Sequence, residues 1–146
     1  MGTSKGAELT LLSASLFPEI KMVIATSPSG AVSLAINTDP SASPKSSWIY
    51  KNEHVTFVPF IYSEEFLKQF SKGYPKRMEF LPLYKASFQN EEAVGKAFIE
   101  VQNINGPLLL ISSDDGRVWP SKIMSERVIE RLNPHNFEFK VKHLSY

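Results

Sequence analysis

Apolar residues recur along this chain with two different periods, and the changes between them mark its elements. Leu9, Leu12 and Leu16 fall at helical spacing with Ala7 and Ala14 beside them, which predicts a helix over 5–17. Pro18 stops it, because the residue before a proline is pushed out of the helical region. Residues 20–26 form a short apolar run rich in β-branched residues and predict a strand buried on both faces, as in a parallel sheet. Residues 28–47 are rich in Ser, Pro, Ala and Asn and read as a surface loop, of a kind that lines active sites when it follows a parallel strand. From 48 to 62 the pattern is aromatic and partly alternating, which suits an extended segment or hairpin that Pro59 keeps off a central position. Residues 63–71 predict a short helix with Ser63 as N-cap, Glu64 and Glu65 in its first turn, and Gly73-Tyr74-Pro75 as its stop. The dense aromatics from 48 to 88 read as core packing, with an acyl-binding surface as the alternative.

Further on, Asn90 heads a predicted helix over 90–101, with Val94, Ala97, Phe98 and Val101 on one face. A turn at 103–106 leads into a wholly apolar strand at 107–111, which ends in the polar run Ser112-Ser113-Asp114-Asp115-Gly116. After Pro120, with Ser121 as N-cap, Met124, Val128 and Leu132 lie four apart and predict a helix over 122–132. Residues 137–144 alternate and predict a strand near the sheet edge. Helix, strand, long excursion, helix, strand, helix, strand is the order of the second half of an open α/β sheet.

Composition narrows the classes. With 146 residues, 42% of them hydrophobic, the chain is long enough for one domain with a real core. A net charge of +1 argues against nucleic-acid binding. The absence of cysteine rules out disulfides, thiolate metal sites and a cysteine nucleophile, and is compatible with a reducing, intracellular compartment. No metal site is expected. No apolar run approaches the roughly 18 residues of a membrane span, and the N-terminal stretch lacks the apolar core of a signal peptide.

Candidate chemistry starts at Gly2-Thr3-Ser4-Lys5-Gly6, a G-x-S-x-G pattern. In a nucleophile elbow of this kind a strand turns sharply into a helix and presents the serine. The bland alternative is a solvated N-terminus. Both glycines are expected to be required, since a Cβ at either would meet the tight turn. Only Met1 precedes Gly2, so the strand that should lead in is expected to be missing. Helix 5–17 is then expected to lack its central sheet partner, and exposed sheet edges to favour poor solubility or self-association. A serine nucleophile needs a histidine and an orienting acid. Asp114 or Asp115 follows an apolar strand and is the candidate acid, against the reading of a plain turn. His54 precedes the acid, His135 falls in a turn on the far side of the sheet from the elbow, and His143 falls within the last strand as an ordinary packed residue. No catalytic histidine is expected among them.

At this point the residues resemble a known family. Gly2-Thr3-Ser4-Lys5-Gly6-Ala7-Glu8-Leu9, with Ala14-Ser15-Leu16-Phe17-Pro18, resembles the elbow and helix of acyl-CoA thioesterases related to bile acid-CoA:amino acid N-acyltransferase. The stretch from Gly106 to Asp115 with Val118-Trp119-Pro120-Ser121 looks like the family's acid strand and loop, and Arg131-Leu132 with His143-Leu144-Ser145-Tyr146 like its next helix and strand. The likeness is loose from 28 to 88. It implies a partial α/β-hydrolase fold, a mostly parallel sheet flanked by helices, with 1–146 as part of a C-terminal catalytic domain. It implies an acyl-CoA substrate, with coenzyme A as part of the substrate and no separate cofactor. Ser4 matches the nucleophile, Asp115 the orienting acid, and the backbone N–H of Lys5 one oxyanion-hole donor. Serine, where some members have cysteine, leans towards thioester hydrolysis over amino-acid transfer. In the family the last strand runs on into a Pro-Gly-Ala-Gly-His loop that carries the catalytic histidine, and strands and an immunoglobulin-like domain precede the elbow. None of these occurs in this sequence, so the isolated chain is expected to have little activity. A non-catalytic fragment or binding module, and an N-acyltransferase, are the alternatives. Relatives of the family occur in cytoplasm and peroxisome, and either is expected here.

Overall fold

The computed structural model describes residues 1–35, 43–71 and 78–146. The chain runs β1 (Gly2–Thr3), α1 (Lys5–Leu16), β2 (Val23–Thr26), β3 (Ile49–Tyr50), β4 (Glu53–His54), α2 (Glu64–Lys68), α3 (Leu81–Phe88), α4 (Glu91–Ala97), β5 (Leu108–Ser112), α5 (Ser121–Leu132) and β6 (Val141–Ser145). Two single 3-10 turns, Val101–Asn103 and Asn133–His135, complete it. Apart from β1 and α3, which the hydrophobic pattern did not predict, the order is the expected one. Packing divides the chain into two units, the first formed by Met1–Ala31, Phe98–Asp115 and Ser121–Tyr146 and the second by Val32–Ala97 and Gly116–Pro120.

The first unit is of α/β class, a four-stranded sheet ordered β1-β2-β5-β6 in which every pairing is parallel. Leu108 to Leu110 of β5 lie opposite Val23 to Ala25 on one side and Val141 to His143 on the other. The two crossovers, β1-α1-β2 and β5-α5-β6, step across the sheet in the same direction. Right-handed connections therefore put both helices on one face. Val23, Ala25, Leu108 and Leu110 point to that face and are at most 2% exposed, packed with Ala7, Leu11, Leu12 and Ala14 of α1 and Met124, Val128 and Leu132 of α5. The alternate residues Ile24, Leu109 and Ile111 are half-buried. Met22, Ile24 and Leu109 there line a shallow groove of about 250 Å³ beside Lys140 and Lys142. The expectation of a β2 strand buried on both faces is corrected on this point: its run is continuous, but only one face is closed.

Three further elements differ from the pattern. The helix expected over 90–101 is capped by Asn90, whose Oδ1 accepts the Ala93 N–H at 3.1 Å, but stops at Ala97. Phe98 leaves it to bridge Ala31, and the Ile99 N–H bonds the Gly30 carbonyl at 2.9 Å. Gly30 permits this because a Cβ there would sit 2.7 Å from the Phe98 ring. Strand β6 begins at Val141 rather than 137, although Lys140 already accepts the Leu108 N–H. It is an edge strand, as expected. Arg131 of α5 lies over the Phe98 ring and binds Glu100 and Gln102, which ties α5 to the segment leading into β5. Burial raises the Glu100 carboxyl's pKa, but hydrogen bonds from Arg131 and Gln102 and the guanidinium charge outweigh it and hold the carboxyl low.

The second unit opens with the hairpin β3–β4. Its turn residues Lys51 and Asn52 both have positive φ, 52° and 65°, the two-residue turn that matches strand twist. Ser63 caps α2 as expected, its Oγ accepting the Phe66 N–H at 3.2 Å; the expected stop at 73–75 lies outside the described residues. Helix α3 was not expected. Pro82 sits in its first turn, where proline's missing N–H costs nothing, and Leu83, Tyr84, Ser87 and Phe88 bury one face. The aromatics pack on one another: Tyr84 meets Phe60 and Trp119 edge-on, each at 5.4 Å between centroids. Phe66, Tyr84 and Phe88 are buried, as the core reading of residues 48–88 expects, whereas Tyr62 is exposed.

Leu110 is wholly buried at the centre of the sheet. Leu110→Ala is expected to lower the unfolding free energy by about 2–5 kcal/mol, measured by urea denaturation.

Candidate active site

Strand β1 is only two residues long, yet it does what a longer strand would. Gly2 pairs with Ala25 and Thr3 with Thr26, and the Ser4 N–H bonds the Thr26 carbonyl at 2.9 Å. Helix α1 starts at the next residue. The expectation that the elbow lacks a leading strand, and that α1 lacks a sheet partner, is therefore corrected. Two residues suffice because β2 supplies the ladder.

The reversal from strand to helix is completed within Ser4, at φ 59° and ψ −124°. A non-glycine residue in this region is strained by roughly 1–3 kcal/mol. Its carbonyl accepts the N–H groups of Ala7 at 2.9 Å and Glu8 at 3.2 Å, so the backbone of Ser4 caps the helix. Its side chain makes no capping bond, and the residue is exposed. An N-terminal serine normally spends its oxygen on a first-turn N–H. Here the side chain makes no such bond and stands at the positive end of a helix.

The two glycines of the pattern are not equivalent. A Cβ on Gly2 would lie 2.1 Å from the Gly6 carbonyl oxygen and 2.4 Å from Thr10 Oγ1, which itself donates to that oxygen at 2.7 Å. A Cβ on Gly6 would meet nothing within 4 Å. Gly2 is required by the turn; the expectation that Gly6 is required too is overturned, since Gly6 lies inside α1 with its Cα hydrogens towards open space. Behind the turn, Glu8 is wholly buried with Lys5 Nζ 2.6 Å from its Oε1. Burial holds the Lys5 amine below its ordinary value of 10.5, against the pull of the Glu8 charge and hydrogen bond.

The second part of the site follows β5. Ser113 donates its hydroxyl to Asp115 Oδ1 at 2.8 Å, and its N–H bonds Ser121 Oγ at 3.2 Å. Ser121, expected as the cap preceding α5, is its first residue and holds this loop. The Asp114 N–H bonds the Tyr146 carbonyl at 2.7 Å. Asp114 Oδ1 receives Ser145 Oγ at 2.5 Å and Lys122 Nζ at 2.9 Å. The Ser145 hydrogen bond, then the bond and charge of Lys122, hold the Asp114 carboxyl below its ordinary 3.8. Asp115 is exposed.

Because the sheet is parallel, Ser4 after β1, Asp115 after β5 and Ser145 near the end of β6 share its carboxyl edge. The strands that lead to Ser4 and Asp115, β1 and β5, are separated by β2, two strand spacings or about 10 Å. Two of the histidines belong to the same unit. His143 lies on β6 opposite Leu110, with Nε2 2.8 Å from Ser112 Oγ, three strand spacings or about 14 Å across the sheet from β1. His135 holds the Arg131 carbonyl through Nδ1 at 2.7 Å, in the turn that leads into β6 and so at the amino edge. His54 is in the β3–β4 hairpin of the second unit. The sequence reading missed the roles of Ser112, Ser113, Lys122 and Ser145; the signal for the three serines was the cluster of small polar residues at two strand ends, and nothing in the pattern marked Lys122. Among the described residues, no helix is long and apolar enough to cross a membrane, and no three His, Cys, Asp or Glu residues group as a metal site would.

A family model described as BAAT / Acyl-CoA thioester hydrolase C terminal matches residues 1–146. No curated protein matches the chain.

Two outcomes follow from this geometry. Gly6→Ala is expected to stabilise the protein by about 0.5–1 kcal/mol, since it removes glycine's backbone freedom without a clash, whereas Gly2→Ala is expected to cost about 1–3 kcal/mol from overpacking; urea unfolding of both variants checks the contrast. The Asp114 contacts contribute stability in full above pH 3.8, because the folded carboxyl titrates below that value, and lose it as pH falls through the depressed value. The stability difference between wild type and Asp114→Asn is therefore expected to be larger at pH 7 than in acid, measured by urea unfolding at each pH.

Proposed function

Since this chain belongs to the BAAT / acyl-CoA thioester hydrolase C-terminal family, we propose that it carries the nucleophile and acid of an acyl-CoA hydrolase, with Ser4 attacking the thioester. The observation that carries this reading is the Ser4 turn: positive φ, an exposed hydroxyl and no capping bond. Ser4 Oγ forms a bond to the thioester carbonyl carbon as its proton passes to a base. The oxyanion so formed is met by the Lys5 N–H at the head of α1. When the carbon–sulfur bond breaks, coenzyme A leaves as the thiol, taking up the proton, and the acyl group remains as an ester on Ser4. Water then adds to that ester and releases the fatty acid. Asp115 serves to orient the imidazole that relays these protons. The ends of β1 and β5 lie about two strand spacings apart, a gap that one imidazole hydrogen-bonded to both side chains would bridge. Water is the favoured acceptor, because an oxygen ester passes its acyl group to an amine less readily than a thioester does.

Neither His135 nor His143 lies where that imidazole must sit, so the 146-residue chain by itself is expected to turn over slowly. Added imidazole supplies a base and makes the reading testable. Release of free thiol from a long-chain acyl-CoA is followed with the chain alone and with increasing imidazole. We expect a saturable, imidazole-dependent increase of about 10²–10⁴-fold, the usual worth of general base catalysis. Ser4→Ala should abolish it, and Asp115→Asn should lower it at least tenfold. An imidazole-dependent rate unchanged by Ser4→Ala would mean that the chain is a non-catalytic module.

A further inference from the structure

The two adjacent aspartates have different surroundings, and proton counting around Asp114 fixes a direction. An ionised carboxylate only accepts hydrogen bonds, and a serine hydroxyl has one proton to give. Ser145 Oγ lies 2.5 Å from Asp114 Oδ1, so its proton points there. Ser145 can then only accept from Ser112 Oγ, 3.2 Å away, which commits the Ser112 proton. Ser112 in turn can only accept from His143 Nε2, 2.8 Å away, so that nitrogen carries the hydrogen. The chain His143 → Ser112 → Ser145 → Asp114 runs one way. Ser112 is 4% exposed, so the relay's middle is shielded from water that could replace its bonds.

The relay ends at the residue before Asp115. Asp114 is also fixed through its backbone: its N–H bonds the Tyr146 carbonyl, and the Tyr146 N–H bonds the Ser112 carbonyl at 3.1 Å, one step beyond the Ser112–Ser145 pair of the β5–β6 ladder. Lys122 in the first turn of α5 holds the same carboxylate oxygen. Ser113, pinned to Ser121, donates to Asp115 Oδ1, one of the two carboxylate oxygens.

We propose that His143, Ser112, Ser145 and Asp114 form a unidirectional hydrogen-bond relay that makes them positioning residues for Asp115, with Ser113 setting the orientation of its carboxylate. This rests on the reading of Asp115 as the orienting acid. His143 is thereby a structural donor and not the base that Ser4 needs, and the paired aspartates divide into a strut and an acid.

Two readouts test this. The first is the tautomer of His143, read from long-range ¹H–¹⁵N correlations of the folded chain. The relay requires a hydrogen on Nε2; a neutral ring protonated at Nδ1 alone overturns it, whatever the chain catalyses. Ser145→Ala removes the acceptor that directs Ser112 and should mix the two tautomers, whereas Ser145→Thr should keep Nε2–H. The second readout is the imidazole-dependent, Ser4-dependent thiol release. Ser145→Ala and Ser113→Ala should each lower it about 3–10-fold, with the concentration of acyl-CoA at half-maximal rate within twofold of wild type, and Ser145→Thr should restore it. If Asp115→Asn lowers the rate and these serine variants do not, the positioning role is wrong. If Asp115→Asn itself has no effect, the catalytic reading of Asp115 fails, and the wild-type tautomer still decides the relay. Should Ser145→Ala fail to fold, wild type and Ser113→Ala carry both readouts.

Discussion

A parallel sheet delivers the last residue of every strand to one edge, and the candidate chemistry depends on that constraint. β1 ends at Ser4, β5 leads to Asp115, and β6 ends beside Asp114. The three share one edge although more than 100 positions separate Ser4 from Asp115 in the numbering. The ladder that aligns them runs through β2, whose four residues pair with β5 and whose last two, Ala25 and Thr26, also pair with β1. A one-residue slip of β2 against β5 would turn Val23 and Ala25 away from α1 and put Ile24 and Thr26 in their place. Core packing therefore fixes the register, and the register fixes the edge.

At that edge the structure holds two kinds of strain against two kinds of support. Ser4 sits in a backbone region that L-residues avoid, and it persists because its N–H belongs to the sheet, its carbonyl belongs to the helix, and Gly2 lets the Gly6 carbonyl come close. Glu8, one turn into α1, is a buried carboxylate, with Lys5 bonded to it and the helix N-terminus favouring its charge. The acid loop shows the opposite design. It has no positive φ from Ser112 to Asp115, and it is held by hydrogen bonds to α5 and β6.

Much of this was legible from residue pattern. Leu9, Leu12 and Leu16 gave α1, the apolar run before Ser112 gave β5, and Ser63 and Asn90 marked helix starts by the same side-chain chemistry that the structure shows. What escaped did so for identifiable reasons. A two-residue strand has no periodicity to read, so β1 was missed. Pro82 reads as a breaker unless it is placed in a first turn, so α3 was missed. The helix over 90–101 was drawn too long because Phe98 and Val101 fit a helical stripe as well as they fit a bridge to Ala31. Gly6 was overvalued because a pattern gives both glycines equal weight, whereas only distances to neighbouring atoms separate them. The relay from His143 was out of reach, since its members are brought together by strand register alone.

The placement of both α1 and α5 on one face of the sheet has a thermal consequence. Ile24, Leu109 and Ile111 are already partly hydrated in the folded state, so unfolding exposes less new apolar surface from β2 and β5 than from strands covered on both faces. The heat-capacity increment of unfolding scales with that surface. For this sheet it falls on the low side for its length, and the curve of stability against temperature is correspondingly broad and shallow.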